Sequence, residues 1–282
     1  MAQLRWALIT GVSQYGTGGA LTEELLGHNI SVIATGPTLK QLEYLNPNRI
    51  AKLEKLELDV TSPDSIAAAV SATERITGGK LDFLVNNAGY GYMMPLMDAD
   101  INKIRKNFDV NVFGLLAVTQ AFFPLLREAK GMVVNQASIT GLPGLDQPYI
   151  GTYSASKRAV VVTLITGDVA THFWGHIDGG DQGIPDSSPY LPIKAYVDEM
   201  MLGKLKPKGA KNAAEWAKSA VKDLLSSRPP ARVYRGFLST TMRWVTWLTP
   251  TWALDWSFAS STNLSKLKTM LKAEERKGRK KQ

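Results

Sequence analysis

Arg5-Trp6-Ala7-Leu8-Ile9-Thr10-Gly11-Val12-Ser13-Gln14-Tyr15-Gly16-Thr17-Gly18-Gly19 is the stretch whose reading decides the fold of this chain. Arg5–Thr10 is a short apolar run of the kind a buried strand requires. Beyond the glycines, Ala20, Leu21, Leu25 and Leu26 repeat at helical spacing. A strand, a glycine loop and a helix in that order set backbone N–H groups and a helix N-terminus against a pyrophosphate. Glycines are needed where the backbone approaches phosphates with no Cβ in the way. The spacing is not GxGxxG, so by itself the loop is equally compatible with a plain βα turn.

Working outward, Ile30–Thr35 reads as a second strand and Leu53–Leu58 as a third, ending at Asp59. Ser62-Pro63-Asp64 then starts a helix, with Ser as the cap and Pro in the first turn. Leu81–Val85 is a fourth strand running into Asn86-Asn87-Ala88-Gly89. Helical patterns cover 99–112 and 112–129, and Met132–Ala137 is a fifth strand ending at Ser138. Strands alternating with helices predict an α/β fold, a doubly wound parallel sheet of Rossmann type whose strand C-terminal ends carry the ligand. The glycine loop, Asp59, Asn86–Gly89 and Ser138 all fall at such ends. The expected organisation is a dinucleotide-binding and catalytic region over 1–171, then a substrate loop and helical cap over 172–236. A helical, aromatic-rich C-terminal extension follows over 237–282.

Tyr153 and Lys157 stand four residues apart, one turn apart on the same face of a helix. A phenol is a poor acid or base at neutral pH, but an ammonium about 4 Å away favours phenolate by roughly 4 kcal/mol at an effective dielectric of ~20. That would bring Tyr153 into a useful range for proton exchange, with Ser138 holding a carbonyl oxygen beside it. Alone, the pair is more simply an accident of an exposed amphipathic helix. Composition narrows the classes further. The 282 residues are 44% hydrophobic and 21% charged, a globular balance. The absence of cysteine excludes disulfides, thiol catalysis and Cys-ligated metals. Of the net charge of +8, residues 263–282 supply +6 (eight Lys/Arg against two Glu), leaving a nearly neutral body that does not suggest nucleic-acid binding. No secretory leader pattern precedes the first strand, so a cytoplasmic location, or the cytosolic face of an internal membrane, is expected.

Together these residues resemble the short-chain dehydrogenase/reductase family. The resemblance rests on Thr10-Gly11 with Gly16-Thr17-Gly18, Asp59-Val60, Asn86-Asn87-Ala88-Gly89, Asn111 within Val110–Gly114, Ser138, and Tyr153 with Lys157. It covers about residues 4–170 and, more loosely, Pro230–Gly236. The subgroup it looks most like is that of the acyl-dihydroxyacetone phosphate reductases. The resemblance implies an NADP(H)-dependent oxidoreductase reducing a carbonyl, or oxidising the alcohol, on an apolar or lipid-like small molecule. It implies Asn111, Ser138, Tyr153 and Lys157 as a catalytic tetrad. Tyr153 would give its proton to the carbonyl oxygen, Lys157 would hold the nicotinamide ribose, and Asn111 would support a proton-relay water. The implied cofactor contacts are Gly11, Val12, Ser13, Gly16, Thr17, Gly18, Asp59, Asn87, Ala88 and Gly89, with Val169 and Thr171 on the nicotinamide side.

Two features depart from the family pattern. After the second strand, Thr35-Gly36-Pro37-Thr38-Leu39-Lys40 lacks the acid expected of an NAD-preferring member. It also lacks the Arg of an NADP-preferring one, so Thr35 or Lys40 would serve the phosphate. After Lys157 the β-branched run Val160–Ile165 begins at once. A helix recrossing a five-residue strand of ~17 Å needs about eleven residues, and Thr152–Ala159 offers eight. Either 153–165 is one helix and the sixth strand is lost, or the strand forms and the helix is a stub. The single helix is preferred, because it keeps Tyr153 and Lys157 in register. A shortened helix also predicts a monomer or weak homodimer, and it raises the competing reading of a nucleotide-binding remnant without full activity.

His172, His176 and Asp178 have a metal-like spacing but sit among glycines, and they read as loop residues; no metal is expected. Pro192–Leu202 and Asn212–Ser226 read as amphipathic helices. Between Phe237 and Phe258, Trp244, Trp247, Trp252 and Trp256 flank Pro250, too short and broken for a spanning helix. Two readings stand: aromatic anchors and a basic tail on an anionic membrane surface, or aromatics capping the core with a disordered tail.

Overall fold

β1, Trp6–Ile9, is buried along its whole length, and its alternation divides the interior in two. Ala7 and Ile9 join one core and Trp6 and Leu8 the other, on opposite faces of the sheet. The computed structural model describes residues 4–46, 51–142, 144–145, 147–159, 164–171, 173, 183–201 and 209–279. In chain order β1 is followed by α1 (Thr17–Gly27), β2 (Ser31–Gly36), β3 (Leu53–Glu57), α2 (Pro63–Thr77) and β4 (Phe83–Asn86). Then come α3 (Ile101–Phe108), a π-helical segment (Asp109–Gly114), α4 (Leu115–Ala129), β5 (Met132–Ser138), α5 (Gly151–Arg158) and β6 (Leu164–Thr166). The remainder is β7 (Val169–Ala170), α6 (Lys194–Met201), β8 (Lys211–Asn212), α7 (Ala213–Leu224), β9 (Val233–Arg235), α8 (Ser239–Leu248), α9 (Thr251–Ser261) and α10 (Leu264–Arg279).

Seven strands form one sheet in the order β3-β2-β1-β4-β5-β6-β9. Every pairing in it is parallel. The five strands expected in the first half are all present. Leu21, Leu25 and Leu26 of α1 and Trp216 and Val221 of α7 cover one face; Ile66 of α2 and Val118, Phe122 and Leu125 of α4 cover the other. Helices on both faces make this the doubly wound Rossmann arrangement. Strand order reverses between β1 and β4, and a crevice opens at their C-terminal ends. The Ser62 cap also forms, its hydroxyl accepting from the Ser65 N–H at 3.3 Å.

The preferred single helix over 153–165 is not what forms. α5 ends at Arg158, and Leu164–Thr166 pairs with Gln136–Ser138 on one side and Val233–Arg235 on the other. A central slot filled by a helix would leave two strand edges unpaired inside the protein, and β-branched residues suit that slot. Of the run, Val160–Thr163 lies outside the described residues, as do His172, His176, Asp178 and Leu202. The C-terminal segment is helical on both sides of Pro250, and its basic continuation forms α10 rather than a disordered tail.

Candidate active site

At the sheet's switch point the glycine loop is locked to the loop after β4. Gly11 has φ +65°, and a Cβ there would stand 2.5 Å from the Ala88 Cα. Only glycine meets both demands. The Thr10 hydroxyl accepts from the N–H groups of Asn87 and Ala88, each at 3.0 Å. The Asn87 amide donates to the carbonyls of Thr10 and Gly11 and accepts from the Thr17 hydroxyl at 2.8 Å. Asn87 thus holds the loop, and its side-chain amide is committed to that work. Gly16 caps α1 without any side-chain hydrogen bond, which leaves first-turn N–H groups for an anion.

A cavity of about 690 Å³ runs from this loop across the strand ends. Gly11, Val12, Ser13, Gly16 and Thr17 line its first part, and Asp59, Asn87, Ala88 and Gly89 its middle. Ser138, Tyr153 and Lys157 line its far part, together with Val169 and Thr171. Asp59 is exposed, one carboxylate oxygen accepting from the Thr61 N–H and hydroxyl.

Four expected residues do not line it. Gly18 packs beneath the loop against Asn87. Thr35 is fully buried, its hydroxyl donating to the Ile9 carbonyl at 3.0 Å, so it has no group to offer a phosphate. Strand alternation and the neighbouring strand claim that side chain. Lys40 is exposed on a short 3-10 turn, and Pro37 and Gln41 on either side of it face the cavity instead. Asn111 sits in the π-helical segment, where its amide donates to the Tyr90 carbonyl and the Ser156 hydroxyl, both at 2.9 Å. Its side-chain oxygen accepts from the Tyr90 N–H at 2.8 Å. Its side chain therefore positions α5 and the Tyr90 loop from behind the cavity wall.

α5 is short but carries both reactive side chains in its eight residues. Tyr153 is 7% and Lys157 5% exposed. The ammonium donates to the Gln136 carbonyl at 3.2 Å and lies 6.0 Å from the centre of the Tyr153 ring. Burial depresses Lys157 from 10.5 to about 8. Burial also raises the Tyr153 phenol well above its ordinary value, against the opposing pull of Ser138. The expected lowering of the phenol by a close ammonium is thus reversed. The ammonium is turned toward the Gln136 carbonyl, and loss of hydration dominates the phenol. Burial makes the phenol a weaker acid, so it keeps its proton at neutral pH until a strongly basic oxygen forms beside it.

Residues 5–168 match the family described as short chain dehydrogenase. The chain is a member of the short-chain dehydrogenase family. Among curated relatives it is 31% identical to short-chain dehydrogenase srdE of Neurospora crassa over 285 residues, covering 94% of each chain. It is 33% identical to short-chain dehydrogenase PC-15 of Penicillium crustosum, over 87% of this chain and 93% of that one. Among solved structures, a short-chain dehydrogenase from Streptomyces avermitilis superposes with TM-score 0.69 at 23% identity, covering both chains completely. A Burkholderia cenocepacia short chain dehydrogenase in complex with NADP gives 0.67 at 20% identity, over 92% of this chain and 98% of that one. A Burkholderia phymatum short chain dehydrogenase/reductase in complex with NAD gives 0.65 at 21%, over 79% and 87%.

Within this short-chain dehydrogenase, Asp168 went unremarked in the sequence. It lines the cavity at the end of β6, and burial raises its carboxyl to about 6. Its place directly before Val169 was the available signal. Phe173, whose ring stacks 5.6 Å from that of Tyr153, and Tyr196 and Met200 of α6 complete the far wall. No spacing rule connects those residues to the site.

Proposed function

We propose that this short-chain dehydrogenase is an NADP(H)-dependent oxidoreductase that reduces a carbonyl on an apolar, lipid-like small molecule. The supporting observation is the protonated, buried Tyr153 sharing one cavity with Lys157, Ser138 and the glycine loop. The loop fits a dinucleotide: the Gly11 cradle admits no Cβ, and α1 begins without a side-chain cap. The bound nicotinamide supplies the hydride. Gly11–Thr17 would hold the pyrophosphate, Asp59 the adenine, and Lys157 the ribose near the reacting carbon. Ser138 orients the carbonyl oxygen, and Tyr153 delivers its proton to that oxygen. Tyr153, Met93, Ile150, Phe173, Tyr196 and Met200 give the far wall an apolar, aromatic lining suited to a hydrophobic substrate.

Preference for NADP rests on the absence of an acid in Thr35–Gln41. Glu57 on the neighbouring β3 accepts from the Leu39 N–H at 3.3 Å and does not line the cavity. The reading includes a monomer or weak homodimer and action in the cytoplasm or on the cytosolic face of an internal membrane, which fractionation tests. The decisive assay is NADPH oxidation with a panel of apolar ketones, wild type against Tyr153→Phe. Turnover lost in the variant with NADPH binding kept supports the reading. Wild-type stabilisation by NADPH with no turnover on any carbonyl would select the nucleotide-binding remnant instead.

A further inference from the structure

α9 is apolar on two opposite faces. Leu254 and Phe258 point inward, where Leu254 is buried and Phe258 packs with Ile139, Leu145 and Ile165 beside the Ser138 turn. Trp252 and Trp256, one turn apart on the other face, are 73% and 72% exposed. α8 repeats the pattern. Met242 packs into the same inner cluster, while Trp244, Trp247 and Leu248 are 51%, 75% and 68% exposed at i, i+3 and i+4. The Trp244 and Trp247 rings meet edge-on at 6.1 Å. A helix apolar on both sides has two apolar partners, and here the core is only one of them. The Trp244–Trp247 pair on α8 and the Trp252–Trp256 pair on α9 together bare on the order of 500 Å² of indole surface.

We infer that this ridge docks on the surface of an anionic phospholipid bilayer. Two observations select that occupant. Every ring is an indole, whose flat apolar body and single N–H suit the headgroup boundary. Directly after α9 comes α10, with Lys266, Lys268, Lys272 and Arg276 exposed, in a tail of net charge +6. A second copy on the same ridge would bring two such tails together, and like charge disfavours that arrangement. The docked helix adjoins the substrate cavity. The Tyr196 hydroxyl, on the cavity-lining α6, donates to the Ser261 carbonyl at 3.1 Å at the end of α9. An apolar substrate could then pass between bilayer and site over one layer of side chains. The docking itself does not depend on the redox reading.

Vesicle flotation tests this with the full chain. The probes are phosphatidylcholine vesicles with and without about 30 mol % phosphatidylserine. Wild type floats with the anionic vesicles, less so at high salt, and its emission shifts to the blue, four of its seven tryptophans lying in the ridge. The triple variant W247S/W252S/W256S keeps its thermal melting point, since these side chains are exposed, and loses binding by at least about tenfold. Lys266→Gln with Lys268→Gln and Lys272→Gln reduces binding to anionic vesicles only. Absence of wild-type binding, or binding that the triple variant retains, overturns the inference. So does a dimer in sedimentation that the triple variant dissolves.

Discussion

Lys157→Met should make this protein more stable while destroying its catalysis. The ammonium is 5% exposed, its one hydrogen bond among the described residues runs to the Gln136 carbonyl, and burial depresses it from 10.5 to about 8. At ~1.4 kcal/mol per tenfold, that drop means the folded protein holds the charge at a cost of about 3 kcal/mol at neutral pH. Methionine has similar length and no charge. Leaving the Gln136 carbonyl without its donor costs about 1 kcal/mol in return. The expected net gain is ~2 kcal/mol, a rise in melting temperature of roughly 4 °C for a chain of this size.

The pH dependence makes the test specific. Below about 8 the lysine is charged in both states, and the whole cost is present in wild type. Between about 8 and 10.5 the unfolded chain binds the proton that the folded one has released, so wild-type stability gains with rising pH relative to the variant. The advantage of Lys157→Met should therefore be greatest near neutrality and shrink to nothing, or reverse slightly, toward pH 10.5. Urea titrations of both proteins from pH 6.5 to 10.5 measure this, since other titrating groups cancel in the difference. A variant less stable than wild type at pH 7, or a difference that ignores pH, would refute the reasoning that burial governs this lysine.

NADPH should bind more tightly than NADH, because no carboxylate in Thr35–Gln41 competes with a ribose phosphate; equal or tighter NADH binding by calorimetry removes that preference. Gly11→Ala should cost at least about 2 kcal/mol and cut dinucleotide affinity severely, since φ +65° and a 2.5 Å approach to Ala88 Cα act together; unaltered melting and affinity would show that the loop is looser than its geometry. Among the described residues, α5 and its C-cap expose only Ala155, Arg158 and Ala159, too little beside α4 for a firm contact of ~1,000 Å². Sedimentation should therefore show monomer or weak dimer, with dimer fraction and turnover both rising when helix is inserted between Ala159 and Val160. A tight dimer through α4 and α5 in the native protein would contradict this.

β1, β2 and β4 were legible because each is a largely apolar run closed by Gly or Asn, as strands buried on both faces are, while the half-exposed β3 and the polar-interrupted β5 were legible from their place between helices. The cavity residues followed from their positions at strand ends. Thr35 and Lys40 could not be placed that way. Thr35 is claimed by a hydrogen bond to Ile9 on the neighbouring strand, and Lys40 sits on a turn of which Gln41 faces the cavity instead. The committed amide of Asn87 and the inward contacts of Asn111 depend on loops distant in sequence. In the C-terminal segment the sequence left open whether the tryptophans meet a membrane or the core. Met242, Leu254 and Phe258 take the core side by packing on the Ser138 turn.

After Lys157, the expected shortfall in length supposes a sixth strand of five residues to recross. β6 pairs through three residues, a rise of ~10 Å, and the eight residues of α5 span ~12 Å. Over the described residues the two spans match, and β5 and β6 pair in parallel through Gln136–Ser138 and Leu164–Thr166. Tyr153 is fixed by its place early in α5, and Lys157 follows one turn later, before the helix stops. Everything the family's chemistry requires of this helix lies N-terminal to the shortening. In the proposed reading, a second subunit would pack on the outward side of α5, where little surface is exposed. The shortening should therefore act on assembly first, and on turnover only to the extent that assembly steadies α5.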